Sequence, residues 1–170
     1  MKKYLLIFTV ILSTLMSCAL KETNTTYYLI RHAEKDRTDK TNKNPNLNEK
    51  GQERAKKWAN YFKDINLNAV YSTKYNRTMQ TAKPTADSQK LNVINYDPTN
   101  MYSKDFEKET KGKTVLIVGH SNTTPQFANM IIKSEIYKSM DDNDNASLFI
   151  ISFKKTFRNK TTSINKIKID

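Results

Sequence analysis

The sequence predicts an α/β domain: a three-layer sandwich in which helices flank a mainly parallel central sheet. Three observations carry this. Short β-branched or aromatic runs alternate with stretches of helical periodicity, the pattern of a layered α/β chain. The clearest run, Lys113–Val118, is continuous and apolar, as a strand covered on both faces must be. The chain has 170 residues, enough to bury one core without a disulfide or structural metal.

The first segment lies outside that fold. Lys2-Lys3 followed by apolar Tyr4–Met16 has the charge and length of a secretory signal. It falls short of the roughly 20 residues a membrane-spanning helix needs. The run ends in Leu15-Met16-Ser17-Cys18, which resembles a bacterial lipobox, and the single Cys of the chain stands where such signals are lipidated. The resemblance implies a lipoprotein signal peptide over 1–17 and a lipid on Cys18. A lipidated tether over 18–25 and a domain over 26–170 follow. It also implies a place in the bacterial cell envelope, periplasmic or surface-facing, with the membrane as partner through the lipid.

The remaining elements follow in order. Thr26–Ile30 reads as a buried strand ending at Arg31-His32. Asp36–Pro45 is a polar loop. Asn48 offers an N-cap to a helix whose inner face is Ala55, Trp58, Ala59 and Phe62. Asn68–Tyr71 is a short strand ending at Ser72. Lys74–Ala82 is helical until Pro84 breaks or kinks it. Asn92–Tyr96 forms a third strand before Asp97-Pro98, and Asn100–Gly112 reads as a loop. Lys113–Val118 closes in Gly119-His120-Ser121, where Ser121 or Asn122 can cap a helix bearing Phe127, Met130 and Ile131. Ala146–Phe153 and Thr162–Ile169 are final strands at a sheet edge, joined by a turn at Arg158-Asn159-Lys160.

Charge bounds the partners less than its size suggests. The formal net charge is +12, from 29 Lys and Arg against 17 Asp and Glu, which suggests an anionic partner. Yet 24 of the cations are dispersed Lys, accompanied by 18 Asn, the composition of a biased and solvated surface. Two of the charges leave with residues 1–17. No zinc-finger, basic-zipper or ribonucleoprotein pattern is present, so no specific nucleic-acid partner is expected. One Cys and two His exclude a disulfide framework and multi-cysteine zinc sites.

The small counts carry the chemistry. Ligands of open α/β sheets bind beyond the carboxyl ends of the strands. Those ends here carry Arg31-His32, Ser72 with Arg77 a turn later, Asp97, and His120-Ser121. Both His and two of the five Arg thus converge at strand ends. Arg offers the fork of donors that a phosphoryl group needs and Lys cannot match. The amides after His120, opening a helix, add an anion-binding edge. A neutral imidazole is a competent nucleophile toward phosphorus.

At these residues the sequence resembles the histidine phosphatase (phosphoglycerate mutase-like) superfamily. Arg31-His32-Ala33-Glu34 is similar to its Arg-His-Gly/Ala signature. Leu47-Asn48-Glu49-Lys50-Gly51 resembles its Leu-Thr-x-x-Gly helix start. Ser72 through Arg77-Thr78-Met79-Gln80-Thr81-Ala82 resembles its Ser-x-x-x-Arg-x-x-Gln-Thr-Ala segment, and Gly119-His120-Ser121 its second-histidine motif. The order and intervals fit, with 45 residues from His32 to Arg77 and 43 from Arg77 to His120. The resemblance spans roughly residues 26–153. It implies a phosphoglycerate mutase-like fold, His32 as the phosphorylated nucleophile, and Arg31 and Arg77 as binders of the phosphoryl oxygens. His120 completes the pocket as a transition-state cation, with Ser121 a further substrate contact. No metal or organic cofactor is implied.

Two departures qualify the match. Ser121, not Asp, follows the second His, which argues against the acid-phosphatase branch. The mutase branch places a Glu between its second Arg and its second His, and no clear counterpart appears between Arg77 and His120. Asp97 is the best-placed proton donor, or else simply the opening of its turn; Glu34 is a weaker candidate that would pair locally with Lys35 or Lys40. The expected activity is hydrolysis of a small-molecule phosphomonoester or phosphoramidate, not isomerisation. The alternatives are a non-catalytic phosphate-binding lipoprotein that keeps the pocket, and a cationic envelope- or nucleic-acid-binding protein.

Overall fold

The computed structural model describes residues 22–156 and 159–169; the expected signal peptide and the expected lipidation site, Cys18, lie outside them. Six strands form one sheet: β1 Thr23–Arg31, β2 Ala69–Ser72, β3 Val93–Asn95, β4 Thr114–Gly119, β5 Ser147–Lys155 and β6 Lys160–Lys168. Their spatial order is β3-β2-β4-β1-β5-β6. The first four run parallel; β5 pairs antiparallel with β1, and β6 antiparallel with β5. Four helices are described: α1 Glu49–Phe62, α2 Asn76–Ser88, α3 Lys104–Thr110 and α4 Thr123–Ile132.

Side-chain alternation splits the core in two. On one face Ile30, Val70, Leu116, Val118 and Leu148 pack against Trp58 and Phe62 of α1 and Ala82 and Ala86 of α2. On the other Tyr27, Leu29, Ile117, Phe149 and Ile151 meet Phe106 of α3 and Phe127, Ala128 and Ile131 of α4. This is the expected three-layer sandwich.

Several boundaries differ from the sequence reading. Thr23–Thr25, read as tether, belong to β1, because the long antiparallel partner β5 extends their pairing to Thr23 opposite Lys155. α2 runs through Pro84 to Ser88, since the buried face Thr78, Thr81, Ala82, Thr85 and Ala86 outweighs the hydrogen bond that proline forfeits. The 100–112 loop contains α3, whose first turn is capped by the Ser103 hydroxyl accepting from the Phe106 amide. Asn48 caps α1 as expected, its side chain accepting from Gly51 N at 2.9 Å.

Register sets the site. Arg31 lies opposite Gly119, and the His32 amide donates to the Gly119 carbonyl at 2.9 Å. The ends of β1, β4 and β2 are therefore adjacent. β3 stands on the far side of β2 from β4, about 10 Å away at the usual strand spacing.

Candidate active site

His32, Arg31, Arg77, His120 and Ser121 line one cleft of about 340 Å³, together with Lys35, Tyr75, Asn122, Thr123, Pro98 and Asp142. The two imidazoles face each other across it, ring centroids 5.5 Å apart at 67°.

Backbone groups fix His32. Its Nδ1 lies 2.7 Å from the Ala33 carbonyl, so Nδ1 carries the proton and Nε2 keeps its lone pair. Asn145 donates to the His32 carbonyl at 2.8 Å, and the Ala33 amide donates to the Thr81 hydroxyl at 2.9 Å. Burial, followed by the nearby guanidinium groups, lowers the His32 pKa to about 3. The ring is neutral.

His120 is oriented from the other side. Its Nε2 stands 3.0 Å from the Thr73 hydroxyl, and Arg77 Nη2 lies 3.4 Å from Nδ1. A guanidinium can only donate, so Nδ1 accepts and Nε2 carries the hydrogen. Burial and then Arg77 lower its pKa to about 4. The expected transition-state cation is thus a neutral imidazole among these cations; only an added phosphoryl dianion would reverse the local field.

The two Arg present unused donors. Arg31 is 2% exposed, its Nε buried without a partner among the described residues. Arg77 Nε and Nη1 are likewise buried and unpartnered, while its Cζ stacks 4.5 Å over the Tyr75 ring. Buried donors left unmade are costly, which suits a site that awaits acceptor oxygens.

The expected caps and acids behave differently. Asn122 makes no side-chain cap at α4; instead the Thr123 hydroxyl accepts the His120 amide at 3.0 Å. Asp97 is exposed, and its carboxylate accepts from the Thr99 amide at 2.8 Å and hydroxyl at 2.7 Å. Those bonds hold its pKa below the ordinary value, and the carboxylate serves the turn instead of lining the cleft. Glu34 pairs with neither Lys35 nor Lys40: Arg54 Nε and Nη2 each reach it at 2.9 Å, because α1 crosses above the loop after β1.

Sequence reasoning missed Thr73, Tyr75, Asn145 and Asp142. Arg31 Nη2 meets Asp142 Oδ1 at 2.6 Å, and Nη1 donates to the Asp141 carbonyl at 2.8 Å. The available signal was charge contrast: Asp141, Asp142 and Asp144 crowd four positions of a strongly basic chain.

Among the described residues no group of three His, Cys, Asp or Glu could hold a metal ion, and no helix is long and apolar enough to cross a membrane.

Comparison with known proteins agrees with this arrangement. A family model described as histidine phosphatase superfamily (branch 1) matches residues 27–98, which include both Arg and the first His. No curated protein sequence matches significantly. Among solved structures, a mycobacterial glucosyl-3-phosphoglycerate phosphatase superposes with TM-score 0.63 and 11% identity, covering 86% of this chain and 100% of its own. A phosphoserine phosphatase variant from Entamoeba histolytica, in complex with phosphoserine, gives 0.60 at 15%, covering 83% and 96%. A phosphoglycerate mutase from Bacillus anthracis gives 0.61 at 16%, covering 86% and 93%. The fold is phosphoglycerate mutase-like. Residues 27–98 are similar to the histidine phosphatase superfamily (branch 1).

Proposed function

We propose that the protein hydrolyses a phosphomonoester or phosphoramidate of a small molecule through a phosphohistidine on His32. One observation carries this reading: a buried neutral imidazole with Nδ1 satisfied and Nε2 free, beside two Arg with unpartnered buried donors.

The chemistry follows from those groups. Arg31 and Arg77 take the non-bridging oxygens, and His120, steadied by Thr73, supplies one more donor once protonated by the incoming dianion's field. His32 Nε2 attacks phosphorus in line; the bond to the leaving oxygen or nitrogen breaks, and that atom takes a proton. Water then attacks phosphorus, the P–N bond breaks, and His32 returns with phosphate released. Solved structures with this fold include enzymes named for glucosyl-3-phosphoglycerate and phosphoserine, which supports small esters as the first substrates to try.

A lipid on Cys18 would hold this site away from the membrane. β1 runs nine residues from Thr23 to Arg31, about 30 Å at the usual rise per residue, with the cleft at its far end. β1 therefore begins at the end of the sheet opposite the cleft, which supports a membrane tether remote from the site.

The test is a panel of phosphate esters and phosphoramidates with the purified chain and His32→Ala. Turnover lost in the variant and acid-labile phosphate on the wild-type protein are expected. Undiminished turnover in His32→Ala would refute the mechanism; vanadate binding without any turnover would favour a non-catalytic binder.

A further inference from the structure

We infer that Asp142 is the proton donor to the leaving group, parked on Arg31 until the phosphoryl group of the substrate takes that arginine. The inference rests on the phosphatase reading and adds the acid that the sequence did not supply.

Geometry places it. In-line displacement sends the leaving group away from the nucleophile. His32 lies at the buried base of the cleft, 3% exposed, so the leaving oxygen points toward the mouth. Asp142, 63% exposed, stands at that mouth and is, among the described residues, the one carboxylate lining the cleft. Asp97 is engaged by Thr99 and Glu34 by Arg54. The loop bearing Asp142 is fastened on both sides, by the Met140 amide on the Ser121 carbonyl at 2.8 Å and by Asn145 on the His32 carbonyl. It is held to the machinery it would serve.

The contact with Arg31 explains how an ionised group could become an acid. At rest Asp142 Oδ1 sits 2.6 Å from Arg31 Nη2, and Oδ2 sits 2.7 Å from Arg37 Nη1. Hydrogen bonds from Arg37 and then Arg31 hold its pKa at about 2. A phosphoryl dianion needs the same Arg31 donor, and a bidentate dianion outbids a single carboxylate oxygen. Once displaced, the carboxylate faces like charge and keeps only exposed, screened Arg37, with Lys35 near the cleft. Both changes favour its protonated form, the proton coming from solvent. As the P–O bond breaks, the carboxyl gives that proton to the leaving oxygen; in the second step the carboxylate accepts one from the attacking water. Protons balance over the cycle.

The test compares wild type and Asp142→Asn, which keeps shape and an acceptor for Arg31. It uses an alkyl phosphate, whose leaving group needs the proton, and a nitrophenyl phosphate, whose leaving group does not. Inorganic phosphate affinity reports that the pocket is intact. Asp142→Asn is expected to lose about 100-fold or more in kcat on the alkyl ester and less than about fivefold on the nitrophenyl ester. Phosphate should bind at least as tightly as before. Equal losses on both esters, no loss on either, or weakened phosphate binding would overturn the assignment. If wild type turns over neither ester, the phosphatase reading fails and this inference with it; an active wild type with an indifferent variant sinks the inference alone.

Discussion

Gly51→Ala sets two physical accounts against each other with opposite signs. Gly51 lies in the first turn of α1, where helix propensity alone predicts that alanine stabilises by about 1 kcal/mol. The tertiary structure predicts the reverse. A Cβ at position 51 would stand 2.1 Å from the Glu34 carbonyl oxygen and 2.9 Å from its carbon, all backbone atoms. A close C···O contact is about 3.3 Å, so the helix start or the loop after β1 must move by about 1 Å. That movement strains the 3.0 Å bond from the Asn48 amide to the Glu34 carbonyl and the Asn48 cap on Gly51, about 1 kcal/mol each. Overpacking adds about 1–3 kcal/mol. After the propensity gain, net destabilisation is about 2–4 kcal/mol, a fall of roughly 5–15 °C in Tm for a domain of this size. Thermal unfolding followed by circular dichroism measures it. Turnover should fall too, because Glu34 is two residues from His32 and the preceding carbonyl, that of Ala33, fixes its tautomer. An unchanged or raised Tm would refute the steric argument.

Two further outcomes are expected. The two His of the chain should give two imidazole resonances, neither titrating between about pH 5 and 8, since burial and the Arg hold their pKa values at about 3 and 4. Because these lie below the unfolded value of about 6.5, the unfolded chain takes up protons first, so stability falls as pH drops from about 6.5 toward 4. Denaturation midpoints at pH 7 and 5 check the sign, and a resonance titrating near 6.5 contradicts it. Thr73→Val keeps the side-chain shape but orphans the His120 Nε2 hydrogen, at a cost of about 1–3 kcal/mol in orienting that ring. Turnover is expected to fall between about fivefold and 100-fold, with Tm lower by roughly 2–10 °C; unaltered kcat would show that Thr73 does not position His120.

Much of the site was legible in the sequence because scarce residues in a lysine-rich chain mark it. His32 and His120 sit at the ends of strongly patterned strands, and strand ends are where α/β sheets bind ligands. Asp97 was misleading for the same reason: it too closes a strand. Only the tertiary structure shows that, after β3, Pro98 lines the cleft while the Asp97 carboxylate is occupied by Thr99. Pro84 misled in another way, since its local cost is outweighed by a buried helical face that pattern alone underweights.

By itself the sequence determined the layered α/β class and the strand ends at which two histidines and two arginines meet in one cleft. Periodicity and strand termini are local properties, which short stretches of chain express. The tertiary structure alone decided which acid enters the cleft, which tautomer each imidazole holds and why position 51 must lack a side chain. Asp142 meets Arg31 across 111 positions, and Glu34 meets Gly51 only because α1 folds back over the loop after β1. Contacts at such separation depend on sheet order and helix placement, which no local run of residues encodes.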